Sequence, residues 1–262
     1  MTSVDVKYLG HSAWRIETNN YILVFDYGDT KRSGKALFRF SDEPKSKKIL
    51  LFFSHSHHDH YDKKLHEQSL KYSNVAAVLG GFSKEYVSNF PNSAIINPYD
   101  IIGIEGFEGI QITAAKSTDE GVCFFVNVEG ITIFFAGDHA DWGDGDEANK
   151  IYYKEIDYIK NLGINVILAF IPVCTYDGKR PASIAKGAVY AMQTLDPHIT
   201  LPMHANGREY LYTNFSNDFN VHSCTQKVFC MGEPGANFVL GNEETLQPHL
   251  EKHDEPIPIV HI

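Results

Sequence analysis

The run Ile49-Leu50-Leu51-Phe52-Phe53 is apolar at every position and then breaks off into Ser54-His55-Ser56-His57-His58-Asp59-His60. A short, unbroken apolar run of β-tolerant residues is the pattern of a strand buried on both faces. Four histidines and one aspartate therefore sit at the end of a buried strand, where a fold can hold them rigidly. Residues two apart in an extended segment point the same way, so His55 and His57 can reach one ion together. Asp59 and His60 follow where the chain has to turn, and can face a neighbouring ion. Imidazole and carboxylate are the usual nitrogen and oxygen donors of catalytic zinc. A histidine-rich surface loop without a role is the competing explanation, and four histidines in six residues straight after such a strand disfavour it.

The surrounding sequence tells what kind of fold holds this segment. Val4–Leu9, Ala13–Glu17 and Tyr21–Phe25 precede it as further short β-type runs, and Val75–Leu79 and Ile110–Ala115 follow. Val122–Val128 and Ile131–Ala136 flank Glu129-Gly130, a tight hairpin turn. Asn149–Leu162 has Ile151, Ile156, Ile159 and Leu162 at near-helical spacing, with Gly163 as C-cap. Val166–Val173 reads as a buried strand, Pro181–Leu195 as a helix with proline in its first turn, and Ile199–Met203 as a short strand leading into His204. Glu251–Ile262, with Pro256 and Pro258, is expected to run extended over the surface. The sum is an α/β chain of two packed sheets with helices outside, one domain over residues 1–262.

Composition narrows the partners. A net charge of −10 argues against general affinity for nucleic acid or an anionic membrane surface. No apolar run approaches the roughly 20 residues that span a bilayer, and Met1–Tyr8 lacks the pattern of a secretory signal. Cys123, Cys174, Cys224 and Cys230 are scattered without a CxxC pair, as in reduced, buried thiols of a cytoplasmic protein. The apolar strand content is compatible with a homo-oligomer.

His55, His57, Asp59 and His60 fit the pattern HxHxDH in one register only, and this stretch resembles the metallo-β-lactamase superfamily. Tyr8-Leu9-Gly10-His11-Ser12-Ala13 followed by Leu23-Val24-Phe25-Asp26 is similar to the branch containing ascorbate-6-phosphate lactonase and related hydrolases. Phe134-Phe135-Ala136-Gly137-Asp138 and Leu201-Pro202-Met203-His204 match two later family signatures. The resemblance implies a four-layer αββα sandwich of two mixed sheets packed face to face. It also implies that Asp138 bridges two metals and that His204 completes the second site with Asp59 and His60. Asp138 has a case of its own, since it follows an apolar β run and a glycine, where strand ends present functional carboxylates.

One family feature is missing. The superfamily normally supplies a further histidine from a loop between HxHxDH and the bridging aspartate. Here only His66 lies between His60 and His139, too near the first motif for that part. The equivalent loop is Ala115–Gly121, with Asp119 the first candidate for a replacement ligand, Ser117 or Thr118 weaker ones, and His139 another. A carboxylate there hardens the site and makes manganese or iron more competitive with zinc, and leaves open whether one ion or two are held.

The chemistry expected is hydrolysis by a metal-bound hydroxide attacking a carbonyl or phosphoryl centre of a small-molecule ester, lactone or phosphoester. Asp59 would bind one ion, orient the nucleophile and collect its proton. His11 is either a residue that contacts substrate or acts as an acid, or a structural histidine in a turn. Arg180 is either an anion-binding residue before a helix or a solvated loop cation, and Trp142 either lines the pocket or packs. His58 occupies the free position of the motif and belongs to the rim. A phosphodiesterase of nucleotide or phospholipid-like esters and a non-catalytic metal-binding sensor or scaffold are the two alternatives.

Overall fold

The hairpin at Glu129-Gly130 shows how directly local chemistry is realised: both residues take positive φ, +49° and +82°, as a two-residue turn between twisted strands requires. The computed structural model describes residues 3–28, 36–143, 146–179, 181–218, 227–241 and 259–260. In chain order the strands are β1 (Val4–Gly10), β2 (Ala13–Glu17), β3 (Tyr21–Phe25), β4 (Lys48–Phe53), β5 (Val75–Gly80), β6 (Ser93–Ile96), β7 (Ile101–Ile104), β8 (Gln111–Lys116), β9 (Val122–Val128), β10 (Ile131–Phe135), β11 (Leu168–Pro172), β12 (Ile199–Met203), β13 (Lys227–Val228), β14 (Asn237–Leu240) and β15 (Ile259–Val260). The α-helices are α1 (Lys63–Ser69), α2 (Lys84–Val87), α3 (Asp146–Asn161), α4 (Ala182–Leu195) and α5 (Tyr210–Ser216).

The strands form two mixed sheets. One runs β14-β1-β2-β3-β4-β5-β6, the other β13-β12-β11-β10-β9-β8-β7-β15. β3 to β6 are parallel to one another, as are β10 to β13, and the remaining pairs are antiparallel apart from β15 on β7. β4 is buried on both faces as its sequence requires. Leu50 and Phe52 point into the core between the sheets, while Ile49, Leu51 and Phe53 pack outward with Leu65 of α1. On the far side, Tyr152, Ile156 and Ile159 of α3 and Ala188, Ala191 and Met192 of α4 cover the second sheet. The result is the α/β sandwich with helices outside that the sequence predicts.

Several boundaries differ in instructive ways. The third helix begins at Asp146 rather than Asn149 and ends at Asn161, with Gly163 in the left-handed conformation (φ +66°) just beyond. The fourth takes Pro181 as its N-cap and is closed by Asp196 at φ +48°. β6, β7, β13, β14 and the helices α1, α2 and α5 have no clear sequence signal: those strands have only two to four residues, and helices of four to seven are too short to show a 3.6-residue period. In the C-terminal tail, Ile259 and Val260 are extended at the surface, as expected, and pair with Gly103 and Ile104 of β7. Residues 251–258 and 261–262 lie outside the described residues.

Candidate metal centre

Open sheets present their functional groups beyond the carboxyl ends of parallel strands, and here those ends meet from both sheets. β3 runs into Asp26, β4 into the histidine motif, β10 into Asp138 and β12 into His204. His11 comes from the turn between β1 and β2, and Asp119 from the loop between β8 and β9. Close backbone packing fixes the motif in place: a Cβ on Gly28 would collide with the backbone of Asp59, and one on Gly121 with the carbonyl of Ser54.

The side chains fall into two groups on either side of Asp138. In the first, His55 Nε2 is 3.0 Å from His57 Nδ1 and 3.8 Å from Asp138 Oδ2, and His57 Nδ1 is 3.6 Å from Asp119 Oδ2. In the second, His60 Nε2 and His204 Nε2 are 3.1 and 3.3 Å from Asp138 Oδ1, and His60 Nε2 is 3.6 Å from Asp59 Oδ2. His11 Nε2 is 3.0 Å from the same Asp59 oxygen. The donor atoms of His55, His57, Asp119 and Asp138 all lie within 4.8 Å of one another, as do those of His11, Asp59, His60 and His204. A tetrahedron of ligands at 2.0–2.1 Å has edges of about 3.3 Å, so these separations suit donors that share a small cation.

Proton bookkeeping makes the same point. His60 Nε2, His204 Nε2 and Asp138 Oδ1 are buried and converge, yet have no hydrogen-bond partner among the described residues. Such groups cost roughly 1–3 kcal/mol each when left unsatisfied. A divalent cation fits: it would satisfy them together. The outer nitrogens are already committed. His204 Nδ1 donates to the Cys174 carbonyl (2.9 Å) and His60 Nδ1 to Asp26 Oδ2 (2.7 Å), which turns both Nε2 lone pairs inward. Asp26, fully buried, also accepts from the Ser54 amide and hydroxyl, at 2.7 and 2.6 Å, and that hydroxyl in turn accepts from His55 Nδ1 at 2.9 Å. One carboxylate thus orients an imidazole in each group.

Charge is correspondingly unbalanced. Burial opposes ionisation of Asp138, but His60 and His204 outweigh it and hold the carboxyl well below its usual range. Burial likewise opposes a proton on His60, and Asp138 and Asp26 overcome it, raising that imidazole well above 6.5. His55 is pushed down to about 3 by burial and by His60. Asp119 is raised, by burial and then by Asp138. Asp119 stands at the exposed end of the first group and Asp138 at its buried end, and a cation between them would relieve their repulsion. Backbone strain gathers here too, since His11, Asp26 and His204 have φ of +54°, +41° and +79°.

A family model described as a beta-lactamase superfamily domain matches residues 5–204, which include every one of these side chains. The chain belongs to the beta-lactamase superfamily. A metal-dependent hydrolase from Thermococcus kodakarensis is 27% identical over 214 residues, 78% of this chain and 85% of that protein. Among solved structures, a metallo hydrolase from Ignicoccus hospitalis aligns with a TM-score of 0.66 at 19% identity, over 91% of this chain and 99% of that one. A diiron β-hydroxylase from Streptomyces venezuelae aligns at 0.60 and 11% identity, over 91% of this chain and 54% of that one. Family membership, the sandwich fold and the His/Asp cluster make the chain a metal-dependent hydrolase of this superfamily.

Within that superfamily frame, the remaining sequence candidates separate clearly. Asp119 faces His57, in the place where the missing histidine was sought. Ser117 and Thr118 do not join a donor group: the Ser117 hydroxyl accepts from the Asp119 amide (3.2 Å), and the Thr118 hydroxyl is held between the Ala140 amide and carbonyl (2.9 and 2.8 Å). His139 is excluded as well, because its buried ring turns away onto Tyr152, 4.7 Å between centroids. His58 is exposed, as expected of a rim residue. Trp142 lines the cavity and donates from Nε1 to the Asp138 carbonyl at 3.1 Å. Arg180 lies outside the described residues. The sequence reasoning missed the role of Asp26. Its signal was available, an aspartate straight after an apolar strand as at Asp138, but nothing local distinguishes a carboxylate that orients ligands from a turn residue.

Proposed function

We propose that this hydrolase uses two divalent cations to cleave a small-molecule carboxylic ester, lactone or phosphoester in the cytoplasm. The observation that carries the reading is Asp138, whose two oxygens face two different donor groups. His55, His57, Asp119 and Asp138 would hold one ion, and Asp59, His60, His204 and Asp138 the other. When bound, such ions lower the pKa of water at the site from 15.7 towards 7 and neutralise charge developing on the attacked oxygen. The chain itself supplies rigidity: Asp26, Ser54 and the Cys174 carbonyl keep the imidazoles in the tautomers that face inward. Burial disfavours the charge on Asp59, but the hydrogen bond from His11 and the field of His60 hold its carboxyl low.

A small molecule is supported by the cavity beside the cluster, about 610 Å³, within the usual range of ligand pockets. Thr118, Trp142, Thr175 and Tyr176 line it together with the donors. The two-nitrogen, two-oxygen first group supports manganese or iron as well as zinc. The test is turnover of a panel of lactones, carboxylic esters and bis-p-nitrophenyl phosphate by protein loaded with zinc, manganese or iron. Turnover of at least one class that chelation removes and His57→Ala abolishes is the expected result. Full loading with two ions and no turnover of any class would overturn the substrate assignment.

A further inference from the structure

We propose that His11 is a ligand of the second cation, joining Asp59, His60 and His204 in an all-protein donor set. This rests on the two-cation reading above and extends it to a residue outside the HxHxDH motif.

Three features of the molecule support it. First, the His11 donor lies within 4.8 Å of those of Asp59, His60 and His204, and its ring packs 4.3 Å from that of His204 and 5.5 Å from that of His60, centroid to centroid. Three imidazoles and a carboxylate crowd one point. Second, the backbone is built to put the ring there. His11 has φ +54°, a conformation that strains a non-glycine residue and persists only where its surroundings over-determine it. They do: the His11 carbonyl accepts from the His204 amide (3.1 Å), the Tyr212 hydroxyl (3.2 Å) and the Tyr8 hydroxyl (3.5 Å). Those bonds tie the β1–β2 turn to the strand end that carries His204, so the two histidines are positioned as a unit. Third, the ring's one hydrogen bond is to another donor of the same group, a contact that a shared cation would replace. Nε2 points to the Asp59 oxygen, and Nδ1 is buried without a partner among the described residues.

Asp119 has replaced an imidazole in the first group, and His11 adds one to the second. The second group then offers five protein donors with Asp138, against four in the first. The second site would therefore fill first.

Titration of metal-free protein with cobalt(II) tests this through the paramagnetically shifted imidazole ring protons. The first equivalent is expected to shift the rings of His11, His60 and His204, and the second those of His55 and His57. His11→Asn, chosen because asparagine tolerates positive φ, should delete one ring from the first set and weaken the first equivalent by more than the roughly 10–100-fold typical of an outer-shell partner. The wild-type spectrum decides even if that variant does not fold. A first set that lacks His11, or an Asn variant with unchanged affinity, would overturn the ligand assignment while leaving two cations in place. Absence of any shifted resonance would overturn the two-cation reading itself.

Discussion

His60 and His66 lie six residues apart, are both fully buried, and differ in everything that matters for chemistry. His66 is finished: Nδ1 is 2.9 Å from the Tyr61 hydroxyl, Nε2 is 2.7 Å from the Ser93 hydroxyl, and its ring stacks on Phe90 at 3.9 Å. Its partners are neutral, so burial alone acts on it and pushes it down to about 4. His60 is unfinished, with Nδ1 held by Asp26 and Nε2 aimed at Asp138 without a hydrogen bond. Burial by itself therefore does not mark a functional histidine. Convergent, unsatisfied atoms beside carboxylates do.

The contrast predicts where each substitution is felt. The largest effect is expected at Asp138, since both donor groups depend on it: Asp138→Asn should lose at least one bound ion and lower turnover by on the order of 10³-fold. Elemental analysis and steady-state kinetics measure both, and retention of two ions would break the proposed division. Asp26→Asn is expected to act one step further out, weakening metal binding by roughly 10–100-fold through misoriented His55 and His60. Titration with zinc against a competing chelator reads this, and an unchanged affinity would show that the outer hydrogen bonds do not position the ligands.

The smallest effect belongs to His66 and concerns stability. Its folded pKa of about 4 lies below the ordinary 6.5, so the unfolded chain takes up a proton first as the pH falls. Stability from this group is present above 6.5 and is lost as the pH drops towards 4, by about 2 kcal/mol between pH 7 and 5. Urea unfolding of wild type and His66→Gln over that interval isolates the term, because the variant lacks it. Equal pH dependence in both proteins would mean that His66 is not held neutral.

The central strands of both sheets were legible in advance because runs such as Ile49–Phe53 and Val122–Val128 must be covered on both faces; their order within the sheets was not. The metal-binding motif was legible because residues two apart on one extended segment share a direction. Asp119 was singled out by its loop position rather than by its own chemistry, and the structure sets it beside His57. Asp26 was not found, and His139, offered as an alternative to Asp119, joins neither donor group. His139 adjoins Asp138 in sequence, yet successive residues at a strand end face opposite ways, and only the packing of α3 reveals that Tyr152 takes its ring.

From its sequence alone, then, this protein is committed to a two-sheet α/β sandwich with donors at a strand end, since apolar patterning and donor spacing act over short stretches of chain. What awaited the tertiary structure was the partition of those donors. Which carboxylate oxygen faces which imidazole, which histidine is already satisfied, and that His11 meets His204 from far along the chain depend on two sheets closing over one core. Contacts between residues that distant arise from packing, and no local pattern encodes them.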